Sequence, residues 1–188
     1  MADMPYPALR APRRALLLGA PLIMAAGPDT NAFTFRIPAI EGGEHDFAAW
    51  RGRVLLVVNT ASFCGFTPQY AALQRLHERY AARGLVVLGV PSNDFNQEAG
   101  TNQQVREFCD AQFGIDFPMA GLTRVRGVQA HPFFRWAAQR AGGEPRWNFH
   151  KYLVARDGRS VRGFATSVAP DSPAMVQAIE AALAAPSA

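Results

Sequence analysis

At 188 residues, 49% apolar and 18% charged, the chain has the make-up of one soluble globular domain, long enough to bury a core without disulfide or metal staples. That balance excludes both a disordered tail and a multi-span membrane protein. The net charge is +4, but Arg10, Arg13 and Arg14 lie in the first fourteen positions, so the remainder is close to neutral and nucleic-acid binding is not expected.

Residues 1–30 read apart from the rest. A basic front is followed by an apolar stretch from Ala15 to Gly27, too short to span a bilayer, and then by small residues. This is the layout of an export signal, and Arg13-Arg14-Ala15-Leu16-Leu17 resembles the twin-arginine motif with Pro12 in place of the usual hydroxyl residue. The expectation is a periplasmic or otherwise exported protein, the alternative being a cytoplasmic chain with a frayed extension. Residues 31–188 are expected to form the single domain.

From Phe33 the pattern becomes regular. Residues 33–50 alternate around Gly42-Gly43 and predict a β-hairpin. Five consecutive apolar residues, Val54 to Val58, predict a strand covered on both faces. Thr67 and Pro68 read as an N-cap and first helical residue, and Tyr70, Leu73, Leu76 (or His77) and Tyr80 fall on one stripe before Gly84. "LVVLGVPSN" predicts a second buried strand, which closes a β-α-β unit over 53–92. A helix is expected from Thr101, with Gln104 completing a capping box, to about Phe113. "IDFPM" reads as a short strand, Pro132 as the start of another helix, and 147–164 as two strands joined at Asp157-Gly158. Ser172-Pro173 caps a closing helix. The sum is an α/β, thioredoxin-like fold: a central mixed β-sheet flanked by helices, with an N-terminal hairpin and an inserted helical segment.

Two cysteines, Cys64 and Cys109, are too few for a disulfide framework and lack zinc-ligand spacing. No metal or cofactor is expected. Cys64 follows the carboxyl end of a central strand and precedes a helix start, the place where α/β folds put reactive groups. Unpaired N–H groups and the positive end of the helix dipole favour a thiolate there over the thiol. The setting between Phe63 and Gly65 at a turn argues against deep burial, although a lone cysteine is more often a small buried hydrophobe.

The blocks "VVNTASFCGFTPQYAAL", "LVVLGVPSNDFNQEAGTN", "EFCDAQFGIDFPM", "AHPFF" and "RWNFHKYLVARDG" resemble, in order and spacing, the glutathione peroxidase family of cysteine type, over roughly 33–184. The resemblance implies a thiol-dependent peroxidase that reduces hydrogen peroxide and organic hydroperoxides, an antioxidant role, and a catalytic tetrad of Cys64, Gln97, Trp147 and Asn148. The chemistry suits those residue types. A thiolate that attacks an O–O bond needs charge stabilisation by neutral donors, which two amides and an indole supply without quenching the nucleophile. The product is a sulfenic acid. One departure is the loop before Gln97, where Asn96 alone stands in place of the family's longer glycine-containing stretch. Asn59 reads as a hydrogen-bonding tie for the loop, outside the catalytic set.

The thiol co-substrate implied is thioredoxin or glutathione. Relatives that use thioredoxin carry a resolving cysteine on the helix after the glutamine block. Cys109 is on that helix, one residue before the plant-type position, where Asp110 stands. It reads equally as a resolving cysteine or as a small core hydrophobe beside Phe108 and Phe113. Ser92 stands where many relatives have a further cysteine. A disulfide exchanger is disfavoured because Thr67 replaces the second cysteine of C-x-x-C. The reading from another class is a redox sensor or binding protein that signals through Cys64 oxidation.

Overall fold

The computed structural model describes residues 30–186; residues 1–29, which carry the expected leader, lie outside the described residues. The hairpin forms from β1 (Arg36–Pro38) and β2 (Glu44–Asp46), antiparallel, with Arg36 opposite Asp46 and ion-paired to it at 2.9 Å. Gly42 and Gly43 turn the chain at φ +100° and +72°, where a side chain would strain the backbone. A 3-10 turn flanks the hairpin on each side, Ala32–Thr34 and Phe47–Trp50.

The main sheet has the order β4-β3-β5-β6. Strand β3 (Val54–Thr60) is buried along its whole length, pairs in parallel with β4 (Leu85–Pro91) and antiparallel with β5 (Lys151–Val154), and β5 pairs antiparallel with β6 (Val161–Phe164). Its apolar run is continuous because both faces are covered. Leu56 and Val58 point into a core shared with Leu73, Val87 and Ile179, whereas Leu55 and Val57 point into a second core with Phe133 and Trp136. The first core lies under α1 (Gln69–Tyr80), α2 (Asn102–Phe113) and α4 (Pro173–Ala184); the second lies under α3 (Pro132–Ala141) and the hairpin. This is the expected thioredoxin-like arrangement.

The expected helix limits hold with one exception. Tyr70, Leu73, Leu76 and Tyr80 are buried, and the chain leaves α1 through a 3-10 turn that ends at Gly84, φ +103°. Thr101 accepts the Gln104 N–H at 3.2 Å, and Ser172 accepts that of Met175 at 3.4 Å. The exception is Thr67, which does not cap α1. Pro68 occupies the cap position without a side-chain bond, because the Thr67 hydroxyl is engaged in the loop before it. "IDFPM" is not a strand either. Pro118 supplies no N–H for a ladder, and the segment instead crosses β4 at a single bridge between Met119 and Gly89. A side chain at Gly89 would meet the Met119 sulfur and the Phe117 ring, so these buried side chains would have to shift to admit one.

Candidate active site around Cys64

The loop after β3 is closed by one hydroxyl. Thr67 Oγ1 donates to Ala61 O at 2.9 Å and accepts the Cys64 N–H at 3.0 Å. The next free N–H of the turn, that of Phe66, reaches Cys64 Sγ at 3.4 Å. Cys64 is therefore not at an open turn as its neighbours suggested: it is only 7% exposed, while Phe63 at 66% and Phe66 at 39% take the outward positions. The loop turns the small side chain inward to meet a backbone donor and pushes the two rings into solvent.

Gln97 belongs to the same unit. Its backbone carbonyl accepts the N–H of Phe63, next to the cysteine, at 2.9 Å. The shortened loop before it is accommodated by Asn96 at φ +56°, in the left-handed region that Asn tolerates. Gln97 Oε1 accepts from Asn148 Nδ2 at 2.9 Å, and among the described residues the glutamine's own N–H donors have no partner. Asn148 is fully buried, and its backbone carbonyl accepts the Thr166 hydroxyl at 2.7 Å. Asn59 ties the loop as expected: its side chain donates to Trp147 O at 3.1 Å, and its carbonyl accepts Phe149 N at 2.6 Å, with Phe149 held at φ +62°. Trp147 is 41% exposed, its ring 5.3 Å from that of Phe95. The structure thus joins the Cys64 turn, Gln97 and Asn148 through hydrogen bonds and leaves Trp147 at the surface of the same turn. Among the described residues, Cys64 Sγ takes no hydrogen bond from Gln97, Trp147 or Asn148.

Cys109 is wholly buried in the same core as Cys64, with Tyr70, Val105, Ile115 and Phe117. Burial pushes its thiol up to about 11. Asp110, the next residue, turns to solvent and pairs with Arg106, as the 100° step along a helix requires.

Several residues of the site carried no motif of their own. Glu98 is buried; its Oε1 accepts the N–H groups of Ser62 at 3.0 Å and Ala99 at 2.8 Å, and desolvation raises its pKa. The signal available was an acid in an otherwise uncharged Asn-Gln-Ala-Gly loop. A cavity of about 510 Å³ adjoins the site, lined by Phe66, Arg146, Trp147, His150 and Thr166 among others. His150 is held neutral there, since burial lowers its pKa to about 4.

Comparison with known proteins identifies the family. Residues 32–138 match the glutathione peroxidase family model. A glutathione peroxidase from Lactococcus lactis is 39% identical over 146 residues, which cover 75% of this chain and 93% of the relative. A hydroperoxy fatty acid reductase from Synechocystis is 37% identical over 159 residues, 79% of this chain and 94% of the relative. The solved apo structure of Trgpx superposes with a TM-score of 0.68 at 31% identity, covering 85% of this chain and 99% of that one. A thioredoxin-family thiol:disulfide interchange protein from Chlorobium tepidum shares the fold alone, with a TM-score of 0.61 at 19% identity over 85% of this chain and 99% of that one. The fold and family define a thiol-dependent peroxidase of thioredoxin-like architecture. The chain belongs to the glutathione peroxidase family.

Proposed function

We propose that Cys64 is the peroxidatic residue of this peroxidase and that Gln97, Trp147 and Asn148 complete its site. The observation that carries the reading is the hydrogen-bonded path from the cysteine turn through Phe63 N to Gln97 and from Gln97 to Asn148. The Cys64 thiolate attacks the terminal peroxide oxygen; the S–O bond forms, the O–O bond breaks, and the leaving hydroxide or alkoxide takes a proton to become water or an alcohol. The unused Gln97 donors and the Phe66 N–H stabilise charge on sulfur and then on the departing oxygen. The largely apolar cavity beside Phe66 and Trp147 suits the carbon chain of an organic hydroperoxide.

Cys109 resolves the sulfenic acid. Once released from burial its thiol ionises more readily; the thiolate attacks the Cys64 sulfur, the S–S bond forms, and hydroxide leaves and takes the proton the thiol gave up, becoming water. Both cysteines are free thiols and Cys109 is wholly buried, so α2 opens locally to expose it, and the sulfurs meet with Cα atoms ~4.4–6.8 Å apart, the spacing a disulfide needs. The make-up of α2 supports this: Val105 and Cys109 are its buried residues, and most of the remainder is polar. A dithiol of thioredoxin type then reduces the bridge. Export is part of the proposal, supported by the basic front and apolar stretch of residues 1–30; a cell-fractionation blot of the full chain tests it.

The function test is intact mass and peptide mapping of the reduced protein after one equivalent of hydrogen peroxide, with Cys109→Ser as control. A Cys64–Cys109 disulfide that is absent in the control supports this reading and thioredoxin. Sulfenic acid trapped at Cys64 without a bridge assigns reduction to an external thiol such as glutathione. Sulfenic acid that neither reductant turns over favours a redox sensor. An untouched Cys64 refutes the site.

A further inference from the structure

Lys151 is the one lysine of the chain, and it is fully buried. It opens β5, opposite Val58 of β3 and Phe164 of β6. Among the described residues no carboxylate pairs with it; Nζ donates instead to the backbone carbonyls of Thr166 at 3.3 Å and Val168 at 2.6 Å. A buried amine without a counter-charge is unfavourable, and an apolar residue at an inward strand position would avoid that penalty. Burial lowers its pKa to about 7, and the neutral amine still has two N–H groups for two carbonyls. The tie therefore survives loss of the charge.

What Lys151 holds is a junction. Thr166 O also accepts from the side chain of Gln69, the first residue of α1, at 2.9 Å. The Thr166 hydroxyl donates to Asn148 O at 2.7 Å, and the Asn148 side chain donates to Gln97 at 2.9 Å. The helix that follows the Cys64 turn and the Trp147-Asn148 turn thus meet at one residue whose backbone is fastened from below. We propose that Lys151 is a positioning residue for the peroxidase site: it pins residues 166–168 to β5, so that Thr166 sets the Asn148 turn in register with the start of α1. This rests on the assignment of Cys64, Gln97 and Asn148 above.

The test compares the second-order rate constant for Cys64 oxidation by hydrogen peroxide in wild type, Thr166→Val, Thr166→Ser, Lys151→Met and the Lys151→Met/Thr166→Val double variant. Rates come from acid-quenched intact mass, alongside near-UV circular dichroism and thermal melting. Thr166→Val removes the bond to Asn148 at constant shape and should slow oxidation about tenfold, as loss of one orienting hydrogen bond does. Thr166→Ser, which keeps the hydroxyl, should recover most of that rate. Lys151→Met should slow oxidation to a similar degree, and the double variant should be no slower than the worse single one, because both act through one junction. If Lys151→Met does not fold, Lys151→Gln, which keeps an N–H donor on the strand, takes its place: a folded Lys151→Gln with the wild-type rate would overturn the role of Lys151. Folded Thr166→Val with the wild-type rate, or effects of Lys151→Met and Thr166→Val that multiply, would overturn the positioning role while leaving the peroxidase site intact. A wild-type Cys64 inert to peroxide would overturn both.

Discussion

The side-chain amide of Asn148 donates to the side-chain carbonyl of Gln97 at 2.9 Å, which engages the glutamine oxygen and leaves its N–H groups without a partner among the described residues. Asn148→Asp reverses the demand, since a carboxylate accepts and draws the Gln97 N–H groups toward itself. Asn148→Ala leaves Gln97 unoriented. Both variants should oxidise roughly 10–100-fold more slowly at Cys64, the scale of losing a preorganised donor. Stopped-flow measurement with hydrogen peroxide checks this, and an unchanged rate constant in either folded variant would show that Gln97 polarity is irrelevant.

Thr67 offers a test of the loop itself. Its hydroxyl serves two backbone groups at once, Ala61 O and Cys64 N. Thr67→Val keeps the shape and strands both, which should lower stability by roughly 1–3 kcal/mol; Thr67→Ser should behave close to wild type. Urea unfolding of the reduced protein measures the difference.

Glu98 holds Ser62 N and Ala99 N with one oxygen, and so joins the loop after β3 to the loop after β4. Glu98→Ala leaves both donors buried and should destabilise by roughly 2–4 kcal/mol. Glu98→Gln keeps an acceptor and should cost less. Burial raises the folded pKa above the ordinary carboxylate value, so the folded state holds its proton longer than the unfolded state. The associated stability is present below the unfolded pKa and is lost as pH rises through the folded one. Glu98→Gln should remove that part of the acid-side slope in urea titrations at several pH values.

Lys151 has the opposite sign. Its folded pKa of about 7 lies below the ordinary 10.5, so between those values the unfolded chain binds more protons. Stability should rise as pH goes from about 7 toward 10.5, and that gain is already gone once pH has fallen to 7, below which both states hold the proton. The window to read is pH 7–9, because the Cys109 thiol, raised from 9.0 to about 11, begins to oppose the trend above it. Lys151→Met should flatten the rise, whatever its absolute stability. An equal slope in both proteins would count against a buried, neutralising lysine.

The fold was legible because its signals are local and repeated. The unbroken run Val54–Val58, the stripe from Tyr70 to Tyr80 and the Ser172-Pro173 start each state their element without help from distant residues. "IDFPM" was misleading because its apolar content serves a single crossing over Gly89 and no ladder. At the site, Cys64, Gln97, Trp147 and Asn148 could be named from resemblance, but the burial of Cys64 could not. It depends on Thr67 giving its hydroxyl to the loop instead of to the helix, a choice between two equally local sets of backbone N–H donors. The bond between Lys151 and Thr166 was invisible for a related reason: fifteen positions separate them, and although Lys151 lies in the block that carries Trp147 and Asn148, Thr166 lies in no motif, so the bond exists only once β5 and β6 are paired.

A chain whose one lysine is buried has a practical consequence. Amine-directed reagents such as succinimidyl esters find no lysine on the folded exterior, since Lys151 is wholly enclosed. Acylation of that side chain requires the sheet to open, so one mass increment on the peptide that contains it would count molecules that have unfolded and refolded, a built-in footprint of global opening.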